Sequence, residues 1–216
     1  MLARHGATAL QGTTARLGGQ ITYAGTQPAP FTLILQNSSS RFEVDKAEGK
    51  LVVVRQDQRV QATRGGRREA PERSQLYGAG INLSPVFALL ALQANARFAG
   101  SVVRTAEGGL GLRYDEVGRA DQPPRVFKQP RQTVVFWLDE NRQIQATSYV
   151  PNDETNVTFS YSYRYPASVS AGFRQPNGVV FSTGDHLLWS AQVNEAVTNV
   201  TVPANVLNII RPGQED

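Results

Sequence analysis

The chain has two histidines, His5 and His186, and no cysteine. Nucleophilic catalysis needs a base within reach of a hydroxyl and an acid to orient that base. Asp185 precedes His186, but neighbouring residues on a strand point to opposite faces, so the pair makes a poor dyad. His186 reads as a surface histidine at a strand end, and His5 falls in a weak N-terminal segment. Metal sites need clustered Cys, His or carboxylate ligands. Here the acids come as turn pairs, Asp139 with Glu140 and Asp153 with Glu154, where Asp and neighbouring Asn serve the backbone of hairpin turns. No Walker-type phosphate loop and no GxSxG elbow occurs, and Gly65-Gly66 and Gly108-Gly109 read as turns. Arg64, Arg67, Arg68 and Arg73 form the densest positive cluster. Glu69 and Glu72 interrupt it and no aromatic side chain is there to stack a base, so it reads as a solvated loop and not as a nucleic-acid site. Asn156-Val-Thr and Asn199-Val-Thr fit the glycosylation pattern, which matters only in a eukaryotic secretory setting. No catalytic residue, metal or cofactor is therefore predicted, and a hydrolase built around His186 is the weakest of three functional classes.

What stands out is apolar. The stretch from Gln132 to Phe173 holds three β-type segments, Thr133–Asp139, Gln143–Val150 and Thr155–Tyr165, separated by turn-forming clusters. In the third, Val157, Phe159, Tyr161, Tyr163 and Tyr165 alternate with Thr158, Ser160, Ser162 and Arg164, which puts every large ring on one face. In the first, Val134, Phe136 and Leu138 oppose Val135 and Trp137, so that strand should be covered on both sides. Before this stretch, Ile21–Gly25, Phe31–Asn37, Arg41–Lys46, Lys50–Arg55 and Gln58–Arg64 read as a meander of short strands. Residues 65–73 read as an exposed loop. One convincing helix follows, Ser84–Phe98, with Ser84 as N-cap and Pro85 at the first helical position. Further strands are Ser101–Ala106, Leu110–Glu116, Ser168–Arg174, Gly178–Ser182, His186–Asn194 and Val200–Val202. Leu2–Gly12 suggests a marginal helix, so residues 1–16 are assigned to an N-terminal helical segment and residues 211–216 to a disordered tail.

At 216 residues the chain is long enough for one domain with a sizeable core, taken as 1–216. The net charge is +4, and 19 Arg against 3 Lys supply a modest basic excess, weak evidence for an anionic partner. The longest apolar runs, such as Val86–Leu92, fall short of the roughly 20 residues of a membrane helix. Met1–Gly12 lacks the apolar core of a signal peptide.

The order of these parts resembles the LolA/LolB-like superfamily of outer-membrane lipoprotein sorting. The resemblance rests on PFTLILQNSSSRFEVD at 30–45, an apolar midchain helix and VVFWLDENRQIQATSYV at 134–150, then on FSYSYRYPASVSAGFRQPNGVVF at 159–181 and VNEAVTNVTVPANVLNI at 193–209. Within these, Phe136–Asp139, Tyr163-Arg164, Gly172 with Pro176, and Asn194 through Pro203 fall in the order typical of such proteins. The resemblance implies a mainly β fold, an antiparallel half-barrel of about 11 strands with helices covering its concave face. It implies an apolar cavity between sheet and helices, lined by Phe31, Leu33, Leu35, Phe42, Val44, Phe87, Leu90, Phe136, Leu138, Phe159, Tyr161, Tyr163 and Trp189. It further implies a non-catalytic periplasmic carrier or sensor, with a leader removed upstream of Met1, that binds a lipid, an acyl chain or an acylated protein and touches membrane surfaces without spanning them. The alternative is a protein–protein interaction module of a periplasmic sensor or envelope-assembly system. Its helix would be core, and its envelope partner would be recruited by a sheet edge or the Arg loop.

Overall fold

The computed structural model describes residues 12–56, 59–70, 80–117, 132–151, 158–166, 173–203 and 205–209. Thirteen strands are described in one antiparallel sheet. They are β1 (Thr14–Tyr23), β2 (Ala29–Gln36), β3 (Ser39–Val44), β4 (Leu51–Gln56), β5 (Arg59–Arg64), β6 (Arg67–Glu69), β7 (Phe98–Arg104), β8 (Leu110–Glu116), β9 (Gln132–Leu138), β10 (Ile144–Pro151), β11 (Phe159–Arg164), β12 (Gly178–Thr183) and β13 (His186–Thr198). The spatial order β6-β5-β4-β3-β2-β1-β13-β12-β11-β10-β9-β8-β7 makes two meanders. They meet where the first strand pairs with the last, and β6 and β7 are the two edges of an open sheet.

This order has a physical consequence. The chain leaves β6 at one edge and must re-enter as β7 at the other, a path of about 58 Å across a flat sheet at the usual strand spacing. The segment making that journey contains a 3-10 turn (Ile81–Leu83) and the helix α1 (Pro85–Ala94). Pro85 sits in the first turn and Ser84 is extended, as an N-cap should be, but its hydroxyl makes no capping bond. The helix ends at Ala94, four residues before the predicted Phe98, because Asn95 is extended and Phe98 already belongs to β7.

The two faces of the sheet follow the period-2 pattern. Cross-strand register aligns Leu17, Leu33, Phe42, Val53 and Ala62 in one apolar row. A second row runs Leu112, Phe136, Thr147, Tyr161, Phe181, Trp189 and Tyr23. These rows define the inner face, which with Val86, Phe87, Ala88 and Leu89 of α1 forms one contiguous core. On β9 the outer-face residues Val135 and Trp137 are buried and half-buried, respectively, with Trp137 Nε1 donating to Ser148 Oγ at 3.0 Å.

Several sequence expectations are corrected. The sheet has thirteen described strands against the expected eleven or so. The N-terminal helical assignment fails from Thr14 onward, where Ala15 pairs with both Leu35 and Thr198 and is fully buried. A sheet ladder on both sides outweighs a marginal helix propensity, and residues 1–11 lie outside the described residues. Arg67–Glu69, expected as loop, pairs with β5 through a hairpin whose Gly65 and Gly66 both take positive φ. Val200–Val202 is not a strand: β13 extends instead to Thr198, and Asn199 turns the chain with φ of 58°. Of the expected strand Ser168–Arg174, residues 168–172 lie outside the described residues and 173–174 are irregular; the tail 211–216 also lies outside them.

Candidate functional site

The thirteen residues expected to line a cavity all lie in, or pack against, the single inner-face core. Leu33, Leu35, Phe136, Tyr161 and Trp189 have no exposed surface, and Phe31, Phe42, Val44, Phe87, Leu138 and Tyr163 are buried. Leu90 and Phe159 are half-buried at its margin. Strand parity explains the grouping: Phe31, Leu33 and Leu35 face inward from β2, Phe42 and Val44 from β3, and Phe136 and Leu138 from β9.

The rings form a continuous group. Tyr161 stacks on Phe181 with centroids 4.4 Å apart, and Phe181 lies 5.5 Å from Trp189. Tyr149 meets Tyr161 edge-on at 5.5 Å. Across the gap, Phe87 of α1 meets Phe173 edge-on at 6.2 Å. Such ring pairs each add about 0.5–1.5 kcal/mol beyond area burial.

The crossover is fixed to this face by hydrogen bonds that the sequence did not reveal. Asn82, in the 3-10 turn, donates from Nδ2 to the Tyr161 hydroxyl at 3.2 Å and accepts at Oδ1 from the Tyr149 hydroxyl at 2.5 Å. The Tyr163 hydroxyl lies 3.2 Å from both the Asn82 carbonyl and Thr147 Oγ1. Gln175 Nε2 donates to the Leu83 carbonyl at 2.8 Å, and Gln93 Nε2 donates to the Tyr114 hydroxyl at 3.1 Å. The tyrosines of β11 therefore serve as docking points for the crossover as well as rings. Burial pushes the Tyr149, Tyr161 and Tyr163 phenols upward, so they stay protonated at neutral pH and offer no base.

Three polar features complete the site. The Ser84 hydroxyl and Trp189 Nε1 are buried and make no hydrogen bond to the described residues. Arg55, opposite Ser40 and Val60, stands on the inner face by register, and its charge opposes the upward shift of Tyr149 and Tyr161. Asn82, Gln175, Thr147, Tyr149, Phe181 and Arg55 were all missed in the sequence. Only Phe181 carried a signal, its alternation with Val179.

His186 and Asp185 are exposed at the β12–β13 turn. Among the described residues no group of three or more His, Cys, Asp or Glu could hold a metal. Of the Arg cluster, Arg64 is bonded to Glu69 at 2.9 Å, Arg67 and Arg68 are exposed, and Arg73 lies outside the described residues. Among the described residues no helix is long and apolar enough to cross a membrane.

No family model matches the sequence, and no curated protein matches it. Solved structures do match in fold. A LolA superfamily protein of Nitrosomonas europaea superposes with a TM-score of 0.59 at 8% identity, over 96% of this chain and 96% of that one. An outer membrane lipoprotein-sorting protein domain of Vibrio parahaemolyticus superposes with a TM-score of 0.58 at 6% identity, over 90% and 89%. The fold is LolA-like. In this LolA-like sheet, the apolar face carries the crossover and the groups that hold it.

Proposed function

We propose that the protein is a non-catalytic periplasmic carrier or sensor that takes up a lipid, an acyl chain or the lipid part of an acylated protein between the inner face of its sheet and the crossover. The observation that carries this reading is the helix α1, which has no charged residue and lies against a ring-lined face, tied down chiefly through Asn82. The crossover is held by directional bonds, each a net 0.5–1.5 kcal/mol or so, and by the burial of Leu83, Val86, Phe87 and Leu89, contacts that the apolar surface of an entering ligand would replace. An acyl chain returns about 0.8 kcal/mol per methylene buried, so roughly ten methylenes match a micromolar affinity. The thirteen inner-face residues would line the space as the crossover lifts. Arg55 and the buried donors Ser84 Oγ and Trp189 Nε1 would receive the polar end of the ligand. The lipoprotein-sorting name of the Vibrio parahaemolyticus structure supports the same class of ligand.

The test is direct. Native mass spectrometry of gently purified protein should show co-purifying lipid, and delipidated protein should bind cis-parinaric acid with micromolar affinity. Delipidated, folded protein that leaves the probe unbound would sink the reading.

A second reading, an interaction module for an envelope protein, draws on β7. Residues 99–102 of this edge strand are exposed and uncharged, with Val102 66% exposed. Such an edge suits strand addition. A partner lost on Val102→Pro yet retained when the cavity is filled by fatty acid would favour this reading over the carrier.

A further inference from the structure

The outer face of the sheet carries a groove of about 650 Å³, opposite the ring-lined face and sharing with it the strand residues Tyr163, Val179 and Ala191. Register builds it from two parallel rows across four strands. One row is Arg164, Gly178, Gln192 and Gln20, and the next is Ser162, Val180, Ser190 and Thr22. All eight residues line it, with Pro28 beyond them at the entry to β2. The volume lies within the range of small-molecule sites, and the lining sets amides, hydroxyls and one cation against apolar surface from Pro28, Val179, Val180 and Ala191.

The cation is held in place. Arg164 Nη2 donates to Gln192 Oε1 at 3.1 Å. A side chain on Gly178 would meet the Arg164 guanidinium at 3.0–3.3 Å, so the missing Cβ leaves the room that the group occupies. Among the described residues no carboxylate pairs with Arg164: Glu195, on the same face beyond Gln192, is bound to Arg16 at 2.5 Å. A guanidinium positioned by an amide, with no counter-charge among the described residues, is suited to bidentate capture of an oxyanion. The flanking Ser162, Ser190, Thr22, Gln20 and Gln192 can each donate and accept hydrogen bonds, and Val180, 42% exposed, is part of the apolar surface of the floor.

We infer that this groove binds a small anionic polyhydroxyl ligand, with Arg164 on its oxyanion and the Ser, Thr and Gln side chains on its hydroxyls. A sugar acid and a sugar phosphate share this chemistry. The groove and the proposed acyl site lie on opposite faces of the sheet, and occupancy of the groove is expected to be the same with and without bound fatty acid.

Calorimetry with trigalacturonate, glucose 6-phosphate, maltotriose and inorganic phosphate, with amide chemical shifts followed by NMR, tests it. Binding is expected for at least one of the two anionic sugars, which decides between carboxylate and phosphate, with shifts at Ser162, Arg164, Gly178, Ser190 and Gln192. Arg164→Gln, at an exposed position, should weaken it about ten- to hundredfold, the loss of a charge-assisted bidentate contact. Gly178→Val, which displaces the guanidinium, should weaken it as well while circular dichroism is unchanged. The inference is overturned if neither anionic sugar binds at millimolar concentration, or if maltotriose binds as well as trigalacturonate. It is equally overturned if glucose 6-phosphate is the anionic sugar that binds and inorganic phosphate alone matches it, or if Arg164→Gln leaves affinity unchanged.

Discussion

The Asn82 side chain bridges two tyrosines of the sheet, its Nδ2 donating to the Tyr161 hydroxyl at 3.2 Å while its Oδ1 accepts from that of Tyr149 at 2.5 Å. A single residue of the crossover thus satisfies polar groups on two neighbouring strands. Its removal leaves buried hydroxyls without partners, and the cost of that exceeds the net worth of the bonds themselves. Asn82→Leu should therefore destabilise the protein by about 2–4 kcal/mol in urea unfolding, against about 1 kcal/mol for Tyr161→Phe. Equal small losses for both would show that the bridge does not secure the crossover.

Ser84 predicts the opposite of what its position suggests. A serine that caps a helix costs about 1 kcal/mol when changed to alanine. Here the hydroxyl is buried and makes no capping bond. Ser84→Ala is expected to leave stability unchanged or to raise it slightly, because it removes a desolvated group that gains nothing. A loss near 1 kcal/mol on denaturation would mean that the hydroxyl caps the helix in solution.

The meeting of the two meanders depends on Gly19. The register between β1 and β13 shifts at Gly18/Gly19, and a Cβ on Gly19 would lie 2.0 Å from the Gln192 carbonyl oxygen and 3.0 Å from the Phe31 ring. Backbone cannot yield as a flexible side chain does. Gly19→Ala should cost more than the roughly 1–3 kcal/mol typical of overpacking, seen as a large drop in Tm or a failure to fold. A Tm within a few degrees of the parent would place the bulge elsewhere.

The tyrosines also set the alkaline limit of stability. Burial raises Tyr161 and Tyr163 well above their ordinary 10.0, and Tyr149 moves the same way. For a group whose pKa is higher folded than unfolded, the contribution is complete below the unfolded value and is lost as pH rises through the folded one. Unfolding free energy should be flat up to about pH 10 from these groups and then fall by about 1.4 kcal/mol per pH unit for each buried tyrosine. Denaturation at stepped pH, with tyrosinate absorbance as a second readout, checks this: tyrosinate from these residues should emerge together with unfolding, and its appearance in the folded protein would contradict their burial.

What the sequence disclosed and what it hid divide along sequence distance. Phe31, Leu33 and Leu35, or Tyr161 and Tyr163, share a face because strand geometry repeats every two residues, and that is local information. The start of β1 was hidden because Gly18 and Gly19 depress strand propensity where the bulge requires them. The extension of β13 to Thr198 was hidden because Asn194, Glu195 and Ala196 are exposed and break the apolar pattern. Asn82 meets Tyr149, Tyr161 and Tyr163 across 67, 79 and 81 residues, respectively, and nothing within a strand or helix pattern announces such a pairing. The ring-lined face was legible; the amide that closes it was not.

Arg55 offers a way to separate the greasy part of binding from the polar part. It stands on the inner face by register, within electrostatic reach of Tyr149 and Tyr161. If an acyl ligand enters under the crossover with its head toward this cation, the chain contributes through burial alone and the head through charge. Palmitate and hexadecanol share the chain and differ in the head. Arg55→Gln should weaken palmitate by about tenfold, the scale of one charge-assisted hydrogen bond, and leave hexadecanol unaffected. Equal weakening of both would mean that the substitution disturbs the lining rather than the head site, and no weakening of either would place the head away from Arg55.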